Sequence, residues 1–273
     1  MFDLTDKVVL ITGGAGKLGQ KHADAVAEFK GVPIILEPQK EKAEAVAYRI
    51  TNEFGVSSIG MGIDITDELQ VAQCCQDLLE KYGKIDVLIN NATNNPKVET
   101  AQKEQNFSRL ENFDLEVWNQ DIKVGLTGAF LCSKHFGFAI SKNLKGGSII
   151  NISSDLGVIA PDQQLYQQDG LSDEKQTVKP VSYSVVKTGV IGLTRYLATY
   201  WAHKNVRCNA LCPGGIVNDE LTDDFLNRIH QRIPMGRMAN VNDYKSAIVF
   251  MVSDASSYLN GSVLTIDGGR TVW

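Results

Sequence analysis

Short apolar runs alternate with longer amphipathic stretches along this chain of 273 residues. The apolar runs are nearly continuous and rich in β-branched residues, which is typical of strands buried on both faces. They cover residues 8–11, 34–36, 58–63, 87–90, 148–152, 206–211 and 263–266. Helix-length stretches lie between them, at residues 18–30, 40–54, 67–82, 115–141, 183–203 and 242–253. The alternation predicts an α/β fold with one doubly wound parallel sheet of seven strands, flanked by helices.

Three polar stretches are too long to be simple connections, at residues 93–114, 155–182 and 217–237. Each follows the end of a predicted strand, and ligands bind at the carboxyl ends of the strands in an open α/β sheet. No repeat or change of composition marks a boundary between domains. We therefore expect a single domain over residues 1–273, with active-site insertions at about 93–114 and 157–182.

Composition limits the class of protein. Hydrophobic residues make up 43% and charged residues 22%, as in ordinary globular proteins, and the net charge of −5 disfavours a nucleic-acid or membrane partner. The chain shows neither a membrane-length apolar run nor the pattern of a signal peptide at its start. Five cysteines without metal-ligand spacing predict reduced thiols, a cytoplasmic location and no metal site.

A glycine-rich loop follows the first predicted strand, in Gly13-Gly14-Ala15-Gly16-Lys17-Leu18-Gly19, and leads into a helix. Glycines let the backbone approach a pyrophosphate, which the free N–H groups of the helix attract. Glu37 lies eighteen residues after Gly19, at the end of the second strand. An acid there can bind an adenosine ribose and repel a 2′-phosphate, so this Rossmann-type pattern predicts NAD(P), with NAD favoured over NADP.

Tyr183 and Lys187 lie one helical turn apart in Tyr183-Ser184-Val185-Val186-Lys187. A nearby ammonium ion favours the ionised form of a phenol, which can then exchange a proton with a substrate oxygen near neutral pH. A pair with this spacing is common on solvated helix faces, so its meaning depends on the rest of the chain.

The chain resembles the short-chain dehydrogenase/reductase family over residues 12–269. The matching motifs, in order, are the glycine loop, Asp64-Ile65, Asn90-Asn91-Ala92, Asn151-Ile152-Ser153-Ser154, Tyr183-Ser184-Val185-Val186-Lys187, Asn209 to Ile216, Gly236-Arg237 and Asp267-Gly268-Gly269. The segment from Lys179 to Lys187, together with the glycine loop, is similar to a subgroup found with bacterial surface-sugar or flagellin-modification pathways.

The resemblance implies roles for residues at matching positions. Tyr183 would be the general acid/base, Lys187 would lower its pKa, and Ser154 would polarise the reacting oxygen. Ser153 is the alternative serine, with a hydroxyl bonded to backbone. The implied cofactor-binding residues are Gly13, Gly16, Lys17, Leu18, Gly19, Glu37, Asp64, Ile65, Asn90, Ala92, Tyr183, Lys187, Pro213, Gly214, Ile216 and Asn218.

The chain departs from the family pattern at several positions. Lys17 replaces a glycine of the phosphate loop, where it can contact phosphate or point into solvent. Thr93 replaces a glycine, and Asn218 stands where a threonine often bonds the carboxamide. Gly125 replaces the asparagine of the family's proton relay; its gap could admit a water, and the two glycines of Val124-Gly125-Leu126-Thr127-Gly128 predict close packing or a kink in the helix.

The spacing from Ser154 to Tyr183 is twenty-nine residues, which is longer than in the family pattern. The extra residues are predicted to cover the active site with a polar rim, made of Gln163, Gln164, Tyr166, Gln167, Gln168, Asp169 and Lys179. Such a rim favours a polar, sugar-like substrate.

The resemblance implies an oxidoreductase that interconverts a secondary alcohol and a ketone, as a homotetramer or homodimer. Two alternatives stay open. One is a weakly active or inactive nucleotide-binding regulator, and the other is a sugar epimerase or dehydratase that uses transient oxidation.

Overall fold

The computed structural model describes residues 1–95 and 108–273. Within that part of the chain, seven parallel strands form one sheet in the order β3-β2-β1-β4-β5-β6-β7. The strands are β1 Val8–Thr12, β2 Val32–Glu37, β3 Ile59–Gly62, β4 Val87–Asn90, β5 Gly147–Ile152, β6 Val206–Pro213 and β7 Val263–Ile266. The strand order reverses between β1 and β4, where a doubly wound sheet opens a crevice for ligands. The predicted fold class is confirmed.

Helices cover both faces of this sheet. They are α1 Lys17–Glu28, α2 Lys40–Phe54, α3 Glu68–Tyr82, α4 Leu115–Ile122, α5 Gly128–Cys132, α6 Phe138–Ile140, α7 Val181–Tyr200, α8 Asp223–His230 and α9 Lys245–Val252. The helix predicted over 115–141 is continuous in space, but wider π-helical turns at Lys123–Thr127 and Ser133–Gly137 join α4, α5 and α6. The turns contain Gly125 and Gly137, so the predicted irregularity is present at the first of them.

Alternate residues of the central strands divide the core into two layers. Val9 and Ile11 face one layer, with α1 and α9, whereas Val8 and Leu10 face the other, with α3 and α5. Both layers are dominated by apolar side chains at the sheet, as expected for strands covered on both sides. The sheet is therefore a rigid base from which the strand ends project.

A third apolar cluster lies above the strand ends rather than on the sheet. Leu165 and Tyr166, from the 157–182 insertion, pack with Phe225 and Ile229 of α8 and with further apolar side chains nearby. The Tyr166 and Phe225 ring centroids are 5.7 Å apart. This cluster holds the insertion against α8, over the carboxyl edge of the sheet.

Residues 96–107 of the predicted 93–114 insertion lie outside the described residues. No helix in the part of the chain that the structure describes is long and apolar enough to cross a membrane.

Candidate active site

A cavity of about 820 Å³ opens at the carboxyl ends of β1, β2, β4, β5 and β6. Its size is within the range of pockets that hold cofactors and small ligands. It brings together all but one of the predicted site residues: Gly13, Gly16, Lys17, Leu18, Gly19, Glu37, Asp64, Ile65, Ala92, Ser154, Tyr183, Lys187, Pro213, Gly214, Ile216 and Asn218. Motifs that are far apart in sequence therefore share one space.

Asn90 is the predicted site residue that does not line this cavity. Its side chain is buried in the sheet, where Nδ2 donates to Asn151 Oδ1 at 2.8 Å and to Ser133 Oγ at 3.1 Å. The next residue, Asn91, does line the cavity and donates from Nδ2 to the carbonyl oxygens of Thr12 and Gly13. Successive strand residues point to opposite sides, so Asn90 braces the core while Asn91 ties the glycine loop to β4.

The glycine loop has the backbone that a pyrophosphate site requires. Gly13 has φ +60°, which favours glycine, and a Cβ on Gly19 would lie 2.2 Å from the Gly13 carbonyl oxygen. Gly16 precedes α1 and provides no side-chain cap, so the first N–H groups of the helix face the cavity without a capping partner from that residue. The loop therefore fits a dinucleotide phosphate. Lys17 lines the cavity with a largely exposed side chain.

Glu37 ends β2 and lies half-buried at the far end of the cavity. Burial raises the pKa of its carboxyl, and a hydrogen bond from the Ala15 backbone opposes that rise. The bond connects the carboxylate to the glycine loop. The acid is thus held beside the loop, in the position where a ribose diol would be bound.

The two serines after β5 have different partners. Ser153 Oγ donates to the Lys187 carbonyl at 2.7 Å, which matches the backbone-bonded alternative foreseen for it. Ser154 Oγ donates to Asp155 Oδ1 at 2.7 Å and accepts from the Leu156 N–H at 3.2 Å. Both side chains are buried at the cavity wall, and the side-chain partner of Ser154 is a carboxylate.

Asp155 belongs to none of the motifs from which site residues are predicted. Asp155 is 2% exposed and Arg270 is 8% exposed, and the two pair through Arg270 Nη1 and Asp155 Oδ2 at 2.6 Å. Charged side chains are rarely this buried unless they are paired. The pair anchors the segment after β7 against the Ser154 turn.

Tyr183 and Lys187 project from the first two turns of α7, which begins directly after Pro180. Lys187 Nζ donates to the Ile152 carbonyl at 2.9 Å and lies 5.8 Å from the centroid of the Tyr183 ring. Burial lowers the pKa of Lys187 to about 8. The ammonium is fixed between the end of β5 and the tyrosine.

A second ammonium lies closer to the same ring. Lys179 Nζ is 4.4 Å from the Tyr183 ring centroid and donates to Asn95 Oδ1 at 3.0 Å. Of the seven residues predicted to form a polar rim, Tyr166 and Lys179 line the cavity, whereas the four glutamines and Asp169 are exposed outside it. The insertion contributes an aromatic ring and a cation to the cavity rather than a row of amides.

The space beside Gly125 differs from the expected gap. A Cβ at Gly125 would lie 2.5 Å from Cγ1 of Val186, which is buried on the facing side of α7. Val186 therefore occupies the position into which a side chain at residue 125 would extend. The close packing predicted from this glycine is present, and the neighbouring helices approach each other through it.

A cavity at the strand ends of a doubly wound sheet, with a glycine loop at one end and an acid after β2, is that of a dinucleotide-binding α/β protein. A family model described as short chain dehydrogenase matches residues 7–167, and one described as Enoyl-(Acyl carrier protein) reductase matches residues 171–271. The chain belongs to the short-chain dehydrogenase family, and it is an oxidoreductase that binds NAD(P).

Individual relatives cover nearly the whole chain. An NADP-dependent mannitol dehydrogenase of Alternaria alternata is 33% identical, covering 100% of this chain and 95% of the relative. A 3-oxoacyl-(acyl-carrier-protein) reductase of Aquifex aeolicus is 30% identical, covering 97% of this chain and 98% of the relative. Among solved structures, a gluconate 5-dehydrogenase of Burkholderia cenocepacia, in complex with NADP and tartrate, matches with TM-score 0.86 and 26% identity over 100% of this chain and 98% of that one.

Proposed function

We propose that the protein interconverts a secondary alcohol and a ketone on a polar, sugar-like substrate, with NAD favoured as cofactor. The observation that carries this proposal is the meeting of Ser154, Tyr183 and Lys187 in the same cavity as the glycine loop and Glu37. Bound NAD(P) supplies the carbon that accepts or donates a hydride.

The cofactor would lie across the strand ends. The backbone of Gly13, Gly16 and Gly19 would hold the pyrophosphate, and Asp64 and Ile65 would hold the adenine. Pro213, Gly214, Ile216 and Asn218 would hold the nicotinamide end, with Ala92 between the two ends. Leu18 and Lys17 complete the phosphate side. A 2′-phosphate would meet the Glu37 carboxylate, which supports NAD over NADP.

The proton would be handled by Tyr183. In alcohol oxidation its phenolate accepts the hydroxyl proton, and in ketone reduction its phenol returns one. The Lys187 ammonium, held by the Ile152 carbonyl, favours the ionised phenol and would bond the nicotinamide ribose. Ser154, whose hydroxyl now donates to Asp155, would turn that hydroxyl to the substrate oxygen.

The substrate proposal rests on the polar groups at the open end of the cavity. Asn94, Asn95, Lys179 and Glu220 line it there with Tyr166. The hydroxyls of a polyol or sugar can hydrogen-bond with such amides and charged groups, whereas an alkyl chain cannot. Mannitol and gluconate, named for two of the relatives, have this chemistry, whereas the acyl chain named for the third does not.

Turnover measurements with a panel of sugars, polyols, sugar acids and simple ketones test this proposal. We expect a net change in the absorbance of the cofactor with at least one polyhydroxylated compound. Product without net change in the cofactor would favour the epimerase or dehydratase. Tight NADH binding with no turnover over the whole panel would favour the regulator. Titration calorimetry with NADH and NADPH tests the cofactor preference, and tighter binding of NADPH would contradict it.

We also propose a homodimer or homotetramer in the cytoplasm. Exposed aromatic side chains lie on helices that face outward, including stacked Tyr196 and Tyr200 on α7 and Phe130 on α5. Burying exposed aromatic side chains against a second copy of the chain favours association. All five cysteines are free and buried, in keeping with a reducing compartment. Light scattering of the purified protein would contradict the oligomer if it gave the mass of one chain.

A further inference from the structure

Two lysines, from different parts of the chain, flank the ring of Tyr183. Lys187 follows it by one turn of α7, and its Nζ lies 5.8 Å from the ring centroid. Lys179 precedes α7, in the segment after Ser154 that is longer than in the family pattern, and its Nζ lies at 4.4 Å. The closer of the two cations is therefore not the one that the Tyr-x-x-x-Lys motif contains.

The structure holds Lys179 in place from several directions. Its side chain is 5% exposed and donates to Asn95 Oδ1, across the mouth of the cavity. Its backbone N–H donates to Gln163 Oε1 at 2.8 Å, and the N–H of the preceding Val178 donates to Ser108 Oγ at 3.1 Å. Pro180 follows with its restricted backbone. Lys179 is thus a buried residue of defined position, unlike the exposed Lys175 of the same insertion.

Other titratable or charged groups lie on the elements around the Tyr183 end of the cavity. Asp155, after β5, is paired with Arg270 of the last segment, and Asp121 of α4 accepts from the Ser182 hydroxyl. Cys212 of β6 stays a neutral thiol because burial raises its pKa. Across the cavity are the Tyr166 phenol of the insertion and the exposed Glu220 after β6.

The charges of Asp155 and Glu220 should influence Tyr183 less than the charges of the two lysines. Asp155 is offset by a guanidinium within hydrogen-bonding distance, and Glu220 is exposed to water, which screens its charge. The two lysines are both buried, and interactions between charges are least screened there. Burial is the main cause that lowers the pKa of Lys187, and the charge of Lys179 adds to it, as expected for two cations that share a small space.

We propose that Lys179 is a positioning residue for the reaction: its ammonium, resting on the Tyr183 ring and tethered to Asn95, favours the ionised tyrosine alongside Lys187. The proposal rests on the acid/base role of Tyr183. It gives the inserted segment a part in the chemistry, in addition to covering the cavity.

The test is a titration of the Tyr183 phenol by ultraviolet difference absorbance, with Tyr183→Phe protein subtracted to remove the other tyrosines. In Lys179→Met protein we expect the midpoint to rise by about one pH unit, the lower end of the effect of a neighbouring charge. Lys179→Arg keeps the charge and should titrate near the wild type. Lys175→Met, which removes a charge at an exposed site, should leave the midpoint unchanged.

A second neutral variant, Lys179→Gln, preserves a donor to Asn95 and covers the case in which the methionine variant does not fold. Midpoints in both neutral variants equal to that of the wild type would overturn the proposal, as would a Tyr183 that stays protonated throughout the accessible range.

No substrate enters this titration, so it gives an answer even if the turnover panel fails. With a substrate in hand, the pH profile of kcat/KM for alcohol oxidation should move to higher pH by the same amount. At neutral pH the neutral variants should then be about tenfold slower. An unmoved profile together with a moved titration would contradict the acid/base role of Tyr183 rather than the influence of Lys179.

Discussion

The two ends of the cavity are built in different ways. At the cofactor end, β1, α1 and β2 follow one another, and the glycine loop and Glu37 are placed by backbone geometry within the first 37 residues. At the substrate end, residues 157–182 are held by side-chain bonds to distant parts of the chain, such as Arg232 to Asp162 and Val178 to Ser108. The geometry of the cofactor end depends on close approach between backbone segments. The geometry of the substrate end depends on hydrogen bonds with side chains from distant parts of the chain.

Because the two ends are built differently, substitutions at each end should disturb the site in different ways. A site made of backbone cannot accept a Cβ at its closest approach, whatever that side chain is. A site made of side-chain bonds can lose one partner and loosen without collapsing, because its segments open independently of the sheet.

Among substitutions that disturb packing or hydrogen bonding at the two ends, the largest effect is expected from Gly19→Ala at the cofactor end. The new Cβ would meet the Gly13 carbonyl oxygen at 2.2 Å, so the phosphate loop has to move. We expect the affinity for NADH to fall about 100-fold, or about 2.8 kcal/mol, by titration calorimetry. Gly192→Ala is the matched control, because nothing lies within 4 Å of a Cβ there and binding should not change. Equal NADH affinities in the two variants would contradict a loop made of close backbone contacts.

A smaller effect is expected where α7 meets the π-helical turn. Gly125→Asn would place its Cβ 2.5 Å from Val186 Cγ1 and should lower the free energy of unfolding by about 1–3 kcal/mol, measured by urea denaturation. Adding Val186→Ala removes the clashing methyl groups and should recover part of this loss. Simple additivity of the two changes would show that the residues do not compete for the same space.

The smallest effect on stability is expected from Gln176→Ala in the insertion. The Gln176 side chain donates to the carbonyls of Gln168 and Leu171 and accepts from the Gln168 N–H, so its loss unties one loop. We expect a local loss of about 0.5–1.5 kcal/mol in hydrogen-exchange protection around residue 168, and a higher KM with unchanged NADH affinity. A change in NADH affinity as large as the change in KM would mean that the two ends are not independent.

The two ends also differ in how much of their structure can be predicted from the sequence. Apolar periodicity located all seven strands, and motif order placed Ser154, Tyr183 and Lys187 in one cavity with the glycine loop. The pairing of Asp155 with Arg270, 115 residues apart, has no local pattern that announces it. Asn90 and Asn91 were hard to separate for a related reason, since a single residue's difference in the strand decides which side chain reaches the cavity.

The position of Lys179 shows the same limit. Its place in the insertion predicts a polar residue over the site. Its contact with the Tyr183 ring depends on the turn before α7, which brings the ammonium over that ring. The residue that fills the space beside Gly125 could not be predicted from the sequence either, because Val186 reaches it from another helix. Contacts between separate elements depend on side-chain packing, which the periodicity of apolar residues along the sequence does not specify.

The most direct test of the account is the Tyr183→Phe variant, assayed with the best substrate of the panel and with NADH binding measured on the same sample. Phenylalanine keeps the ring between the two lysines and removes only the oxygen that exchanges the proton. We predict that turnover falls by about 10²–10⁴-fold while the dissociation constant for NADH stays close to that of the wild type. Turnover within a few-fold of the wild type, with the cofactor bound as before, would contradict the assignment of Tyr183 as the acid/base of this enzyme.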